Sequence, residues 1–213
     1  MVRLTFAAFV LPHYLSNRWQ AYLNSLIVGG VILFAISFGN AVWADITLAK
    51  IFSDNMVLQR NSQIKIWGTA TPQQPIEVRF LDQKISTSAD KVGNWSTRII
   101  TSVAGGPYEL EVAAVEEGTS VKLTNVMVGE VWICAGQSNM EWPMSAIQDA
   151  PKEIEEAKDW GNLRLLTVTN DASPVPLDEF TNVETWQVCH SENVKNFSAV
   201  AYFFGRELSR QMN

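Results

Sequence analysis

Val128-Gly129-Glu130-Val131-Trp132-Ile133-Cys134-Ala135-Gly136-Gln137-Ser138-Asn139-Met140 is where the grammar of the chain changes. Residues 128–135 are a nearly unbroken apolar run with β-branched members. Such a run reads as a strand buried on both faces, as in a parallel sheet. It stops at Gly136 and opens into polar sequence. Downstream, Pro151–Trp160 predicts a helix, with Pro151 in its first turn and acidic residues toward its N-terminal half. Leu163–Val168 predicts a second strand, Thr169–Thr181 a polar connection, and Trp186–Cys189 a short extended piece. Ser198–Met212 predicts an amphipathic helix, with Ser198 as N-cap and apolar residues at 200, 203, 204 and 208. Strand, helix, strand, helix is the start of an α/β domain, assigned to 126–213. Two or three strands are only the opening of a sheet of ordinary size.

Upstream, residues 45–125 alternate instead of running apolar. Ile64-Lys65-Ile66-Trp67-Gly68 and Ile76-Glu77-Val78-Arg79-Phe80 have period two. Ile46–Phe52, Asn55–Gln59, Trp95–Ile99, Tyr108–Ala113 and Val121–Leu123 are further strand candidates. Gly93-Asn94 and Gly105-Gly106-Pro107 mark turns. Turn residues every 8–12 positions or so predict an all-β, sandwich-like domain. The alternation buries Ile64, Ile66, Val78, Phe80, Leu110 and Val112, and turns Lys65, Glu77, Arg79, Glu109 and Glu111 outward. Trp67 and Trp95 are read as packing residues before they are read as a sugar-stacking platform, because aromatics are ordinary strand residues.

The first 44 residues form a separate object. Arg3 and Arg18 are their only charges, and Leu26–Phe38 is an apolar run of 13 residues ahead of Val42-Trp43-Ala44. A bilayer span needs about 20 such residues, so the run fits a signal-peptide core, with cleavage expected after Ala44. An uncleaved membrane anchor is the alternative. Cleavage would leave 169 residues with 14 basic and 22 acidic side chains, a net charge of −8. The expectation is a secreted, periplasmic or cell-surface protein without a stable membrane partner. Its acidic balance and lack of any Lys/Arg cluster argue against nucleic-acid binding. Cys134 and Cys189 each close an apolar run. Two cysteines cannot make a four-ligand zinc site, and they stand either as a permitted disulfide or as two buried thiols.

Ser138 is the candidate nucleophile. A serine hydroxyl needs exposure, orientation and a base. The tip of a buried strand, turning at Gly136, would supply the first two, and ligand sites in open α/β sheets lie at such carboxyl ends. The backbone N–H groups of Ser138 and Asn139 are candidate oxyanion donors there. On pattern alone the motif is weak, since it lacks the second glycine of the usual nucleophile elbow. Glu141 and Asp149 read as loop and helix-start charges before acid partners. Trp142 either lines a substrate pocket or packs. The chain has two histidines. His13 falls in the leader, and His190 reads as an exposed loop residue after Trp186–Cys189.

Residues 131–143, Val-Trp-Ile-Cys-Ala-Gly-Gln-Ser-Asn-Met-Glu-Trp-Pro, resemble the first block of the sialate O-acetylesterase family, within the GDSL/SGNH hydrolases. Ile51-Phe52-Ser53-Asp54-Asn55-Met56-Val57-Leu58-Gln59-Arg60 resembles the start of its mature members. Gly93-Asn94-Trp95 with Gly105–Tyr108 resembles their leading β domain, and Phe197–Leu208 the helix after the first block. The resemblance covers about 45–213, the N-terminal portion of such enzymes. It implies an SGNH-hydrolase, flavodoxin-like α/β domain begun but not finished, with Ser138 at the nucleophile position. It further implies hydrolysis of O-acetyl esters on sugars, sialic acid being the named substrate, with no metal or organic cofactor. The family's histidine, acidic partner and further oxyanion blocks lie late in its chain, and nothing here matches them. The expectation is thus a fragment, inactive or nearly so alone. An acetyl-xylan-esterase-like enzyme and a non-catalytic secreted carbohydrate-binding β-sandwich are the alternatives.

Overall fold

A computed structural model of the chain describes residues 46–212, apart from 116–117, 169–173, 176, 178 and 181. The expected leader, its cleavage site and His13 lie outside the described residues.

The alternating segments form strands because each can bury one face. β1 (Thr47–Leu48), β3 (Gln63–Thr69) and β6 (Asn94–Ile100) make a three-stranded antiparallel sheet in the order β1-β3-β6. β2 (Val57–Gln59), β4 (Pro75–Phe80), β5 (Gln83–Ser88), β7 (Gly105–Ala114) and β8 (Ser120–Gly129) make a five-stranded sheet in the order β2-β8-β7-β4-β5. Its neighbours are antiparallel except β2 and β8, which run parallel from Val57↔Met127 to Gln59↔Gly129. The larger sheet is therefore mixed. Its β5 edge curls onto β6: the Gln83 amide donates to Ile100 O at 2.7 Å and accepts from Ile100 N at 2.8 Å, and Thr87 Oγ1 donates to Ser96 O at 3.2 Å. The expected all-β character of this part holds. The finer description as a sandwich does not follow from this curled, half-barrel arrangement.

One hydrophobic core serves both sheets. Ile66 and Ile99 from the smaller sheet meet Ile76, Val78, Phe80, Leu110, Val112 and Val126 from the larger, all essentially without solvent. Ile66, Val78, Phe80, Leu110 and Val112 are buried as the alternation predicts, and Ile64 packs on the same core half-buried. Glu77 departs from expectation: it is only 8% exposed. β4 has neighbours on both sides, and Arg79 and Lys84 close over the Glu77 carboxylate at 2.5 and 2.8 Å. Trp95 is a core residue, 3% exposed, whose indole N–H donates to Thr69 O at 3.2 Å. Trp67 is edge-on to Phe52 at 4.8 Å, carries Lys65 Nζ 5.5 Å from its ring centroid, and donates to Glu179. Neither ring is an open stacking platform.

The Gly93-Asn94 turn is built as the sequence suggests. Asp90 Oδ1 accepts from the N–H of both Val92 and Asn94 at 2.9 Å, and Gly93 takes φ +95°. A Cβ there would sit 2.6 Å from Ala70 O. β5 had no counterpart in the sequence reading, because it is polar except for Ile85 and sits at a sheet edge with one neighbour.

Beyond β8 the regular elements are mainly helices. α1 (Ala150–Glu156) runs into a 3-10 turn at Ala157–Trp160, as expected for 151–160. β9 (Arg164–Leu165) and β10 (Gln187–Val188) pair antiparallel, followed by the short α2 (Ser191–Val194) and by α3 (Ala199–Met212). Ser198 caps the start of α3 as the sequence predicts, its Oγ accepting from Ala201 N at 3.3 Å. A second core gathers Met144, Ala157, Leu165, Cys189, Val194, Ala199 and Tyr202.

Two expectations fail here. No strand covers 128–135: β8 ends at Gly129, residues 130–136 take no regular pairing, and Ile133 is 91% exposed. A strand needs a neighbour to take its N–H and C=O groups, and no described strand lies beside this run. The face of α3 is also displaced. Ala199, Ala201 and Tyr202 are buried, whereas Val200 and Phe204 are exposed, with Phe204 meeting the Trp132 ring at 5.4 Å.

The helical part is fastened to the β part through Trp186. Its indole N–H donates to Ile51 O at 2.9 Å and its backbone N–H to Ser53 Oγ at 3.0 Å. Asn55 Nδ2 donates to Trp186 O at 3.3 Å, and Asn55 Oδ1 accepts from Asn125 Nδ2 at 2.7 Å. Arg164 extends the chain of bonds to Asn125 Oδ1 at 3.3 Å.

Candidate active site

Ser138 lies in a tight turn, not at a strand tip. Met140 N–H donates to Gln137 O at 2.8 Å, Glu141 N–H to Ser138 O at 3.2 Å and Trp142 N–H to Asn139 O at 3.4 Å. These i to i+3 bonds make one helical turn. The N–H groups of Ser138 and Asn139 lie ahead of the first of them, at the end of a helical turn where donors have no local carbonyl. Gly136 admits the turn, because a Cβ there would stand 3.2 Å from Met140 Cβ. Ser138 and Asn139 are both exposed.

The far side of the turn is anchored to α3. Pro143 and Ser198 form an antiparallel bridge, and Ala199 N–H donates to Trp142 O at 2.9 Å. Ser198 Oγ lies 3.4 Å from Met140 Sδ, and Met144 N–H donates to Phe197 O at 3.0 Å. Trp142 is 54% exposed beside the turn, with its indole N–H on Ala146 O at 3.2 Å. Its open ring leaves both a lining and a packing role compatible with its position.

No acid–base pair meets the serine. Among the described residues, no hydrogen bond joins Ser138 Oγ to a histidine or carboxylate. His190 is exposed and caps α2, its Nδ1 accepting from Glu192 N at 3.4 Å. Asp149 is the N-cap of α1 at φ 61°, with its backbone oxygen accepting from Lys152 and Glu153. Glu141 is an exposed turn residue. The cysteines are both free. Cys134 is exposed, so of the two alternatives neither the disulfide nor the pair of buried thiols holds, because the run it belongs to is unpaired. Cys189 is buried, and burial pushes its thiol up to about 11. No cluster of three or more metal-ligating side chains occurs among the described residues.

Sequence reasoning missed the residues at the other end of the segment that carries Ser138. Gln59 and Arg60 both bond Glu130 there. The hydrogen bond from Gln59, opposed by some desolvation and helped by Arg60, holds the Glu130 carboxyl below its usual range. The only signal was the block 51–60, singled out for resemblance and not for chemistry.

No protein-family model matches the chain. It is 29% identical over 198 residues to the sialate O-acetylesterase of Mus musculus, a match covering 85% of this chain and 36% of the relative. The human sialate O-acetylesterase is 27% identical over 188 residues, covering 78% of this chain and 36% of its own length. Among solved structures, a carbohydrate acetylesterase from Xanthomonas citri superposes with TM-score 0.74 at 35% identity, over 79% of this chain and 38% of that one. The chain thus spans a little over a third of the length of the relatives it matches. These likenesses support the sialate O-acetylesterase family, this chain being similar to its N-terminal portion.

Proposed function

We propose that this chain is the nucleophile-bearing portion of an exported carbohydrate O-acetylesterase, with Ser138 as the attacking residue. The observation that carries the reading is the exposed Ser138 in its Gly136–Trp142 turn, in a chain whose relatives are named as acetylesterases of sialate or carbohydrate. Ser138 Oγ attacks the acetyl carbonyl of an O-acetylated sugar while a histidine takes its proton. The carbonyl electrons move onto oxygen, where the N–H groups of Ser138 and Asn139 are placed to receive them. Collapse expels the sugar hydroxyl, reprotonated by the histidine, and water then releases acetate from the serine. Trp142 is the residue proposed to flank the sugar. Residues 45–125 serve as the leading β domain and 126–213 as the opening of the SGNH-type α/β domain. The apolar run 26–38 is the basis for export.

His190 is not the proposed base, since it is committed to capping α2. The base and its acid are proposed to belong to the part of the family that this chain does not match. Missing general-base help costs about 10²–10⁴-fold, so the 213-residue chain alone should turn over acetyl esters feebly. The test is acetate release from acetylated sialic acid and acetylated xylan, by the chain and by Ser138→Ala. Serine-dependent turnover at ordinary esterase rates would overturn the weak-activity reading and make His190 the first residue to mutate. Turnover at ordinary esterase rates that is unchanged in Ser138→Ala would remove Ser138 from the mechanism.

A further inference from the structure

The block Ile51–Arg60 grips both sides of the helical part, and its last two residues reach the segment that leads to Ser138. β2 and β8 run parallel and end together at Gln59↔Gly129. Arg60 N–H then donates to Gly129 O at 2.8 Å. Just past that point the Gln59 side chain uses both of its polar atoms on consecutive residues. Its Oε1 accepts from Val131 N–H at 2.8 Å and its Nε2 donates to Glu130 Oε2 at 3.1 Å. Arg60 Nε holds the other oxygen, Glu130 Oε1, at 2.6 Å. Gln59 O in turn accepts from Thr101 Oγ1 at 2.6 Å, which ties the clamp to the end of β6.

Beyond Val131 nothing comparable among the described residues restrains the chain until the turn. Residues 131–136 take no strand pairing, and all six are exposed. The next side-chain contacts are the Trp132 ring on Phe204 and the Met140–Ser198 pair. The direction in which the backbone leaves β8 is therefore set by one amide side chain and one carboxylate. An amide is suited to this, since it offers a donor and an acceptor in one rigid plane, and here both are used. A Leu of similar size would leave the Val131 N–H without its acceptor and Glu130 with Arg60 alone.

We propose that Gln59 is a positioning residue for Ser138: it stands in for the missing next rung of the β2–β8 ladder and fixes the exit of the chain toward the candidate nucleophile. It touches no substrate and acts through Glu130 and Val131. The proposal rests on the reading of Ser138 as nucleophile only for its consequence in catalysis, because the clamp itself is measurable without turnover.

Cys134, exposed and three residues past the clamp, supplies a native reporter, while Cys189 is buried. A nitroxide attached to Cys134 of the full chain, together with amide exchange at Val131, reads the segment directly. In Gln59→Leu, Val131 exchange should rise about tenfold, the ratio that one ordinary net hydrogen bond sustains, and the nitroxide line should narrow. Gln59→Glu, which replaces the donor to Glu130 by a second carboxylate 3.1 Å from it, should likewise raise Val131 exchange and nitroxide mobility above wild type. It also serves if the leucine variant does not fold. Arg79→Ala, on the outer face of the larger sheet, should leave both readouts at wild-type values. Unchanged nitroxide mobility and unchanged Val131 exchange in Gln59→Leu would overturn the proposal. A clamp that loosens as described, in a chain whose ester hydrolysis runs at ordinary esterase rates and does not depend on Ser138, would instead defeat the nucleophile assignment and leave the positioning of the segment standing.

Discussion

Replacing Asn55 tests whether the block 51–60 is what fastens the two parts together. Asn55 adopts φ +67°, a left-handed conformation. Its side chain also donates to Trp186 O and accepts from Asn125 Nδ2. Asn55→Ala removes both bonds, each worth about 0.5–1.5 kcal/mol net. A Cβ in the left-handed region costs about 1–2 kcal/mol relative to glycine, but Asn55 carries that Cβ already, so the alanine variant adds nothing on this account. The expected loss is about 1–3 kcal/mol from the two bonds, which for a chain of this size lowers Tm by roughly 2–12 °C. Asn55→Gly removes the same bonds without the backbone cost, so it should lose about 1 kcal/mol less. Urea unfolding followed by tryptophan fluorescence gives both numbers, with the slope unchanged if only the native state is affected. Asn55→Ala within about 0.5 kcal/mol of wild type, inside the range of ordinary surface substitutions, would refute the fastening role. Equal losses in the Ala and Gly variants would refute the backbone part of the argument.

Two further outcomes follow from the environments of single groups. A thiol reagent added to the native chain at neutral pH should modify Cys134 promptly and Cys189 only on unfolding, because burial both shields Cys189 and raises its thiol to about 11; prompt reaction of both, counted by mass spectrometry, would contradict that burial. Glu130 is held below its ordinary value of 4.5, first by Gln59. A carboxyl depressed in the folded state contributes stability that is present above the unfolded value and is lost as pH falls through the folded one. The stability gap between wild type and Glu130→Gln should accordingly be open at neutral pH and close in acid below the ordinary carboxylate range; a gap that persists there would show that Glu130 does not act through its charge.

The sequence by itself determined the features whose cause is local. Period-two alternation put Ile66, Val78, Phe80, Leu110 and Val112 in the core, since side chains two apart on a strand share a face. Gly93-Asn94 marked a turn that a Cβ would obstruct, and Ser198 marked the start of α3. The Ser138 turn was legible from Gly136 and the polar residues after it, and the family from ordered blocks. Pairing is not local, and tertiary structure alone decided it. The parallel β2–β8 contact, the polar edge strand β5 and the covering of Glu77 depend on which strands become neighbours. The run 130–136 shows the same limit from the other side. Its apolar, β-branched residues satisfy every local criterion for a buried strand, yet it stays unpaired with 131–136 exposed, because a strand exists only where another backbone takes its hydrogen bonds. Gln59 belongs to that class too: its part in aiming the chain toward Ser138 depends on Glu130 and Val131, some seventy residues away in sequence and adjacent only in the fold.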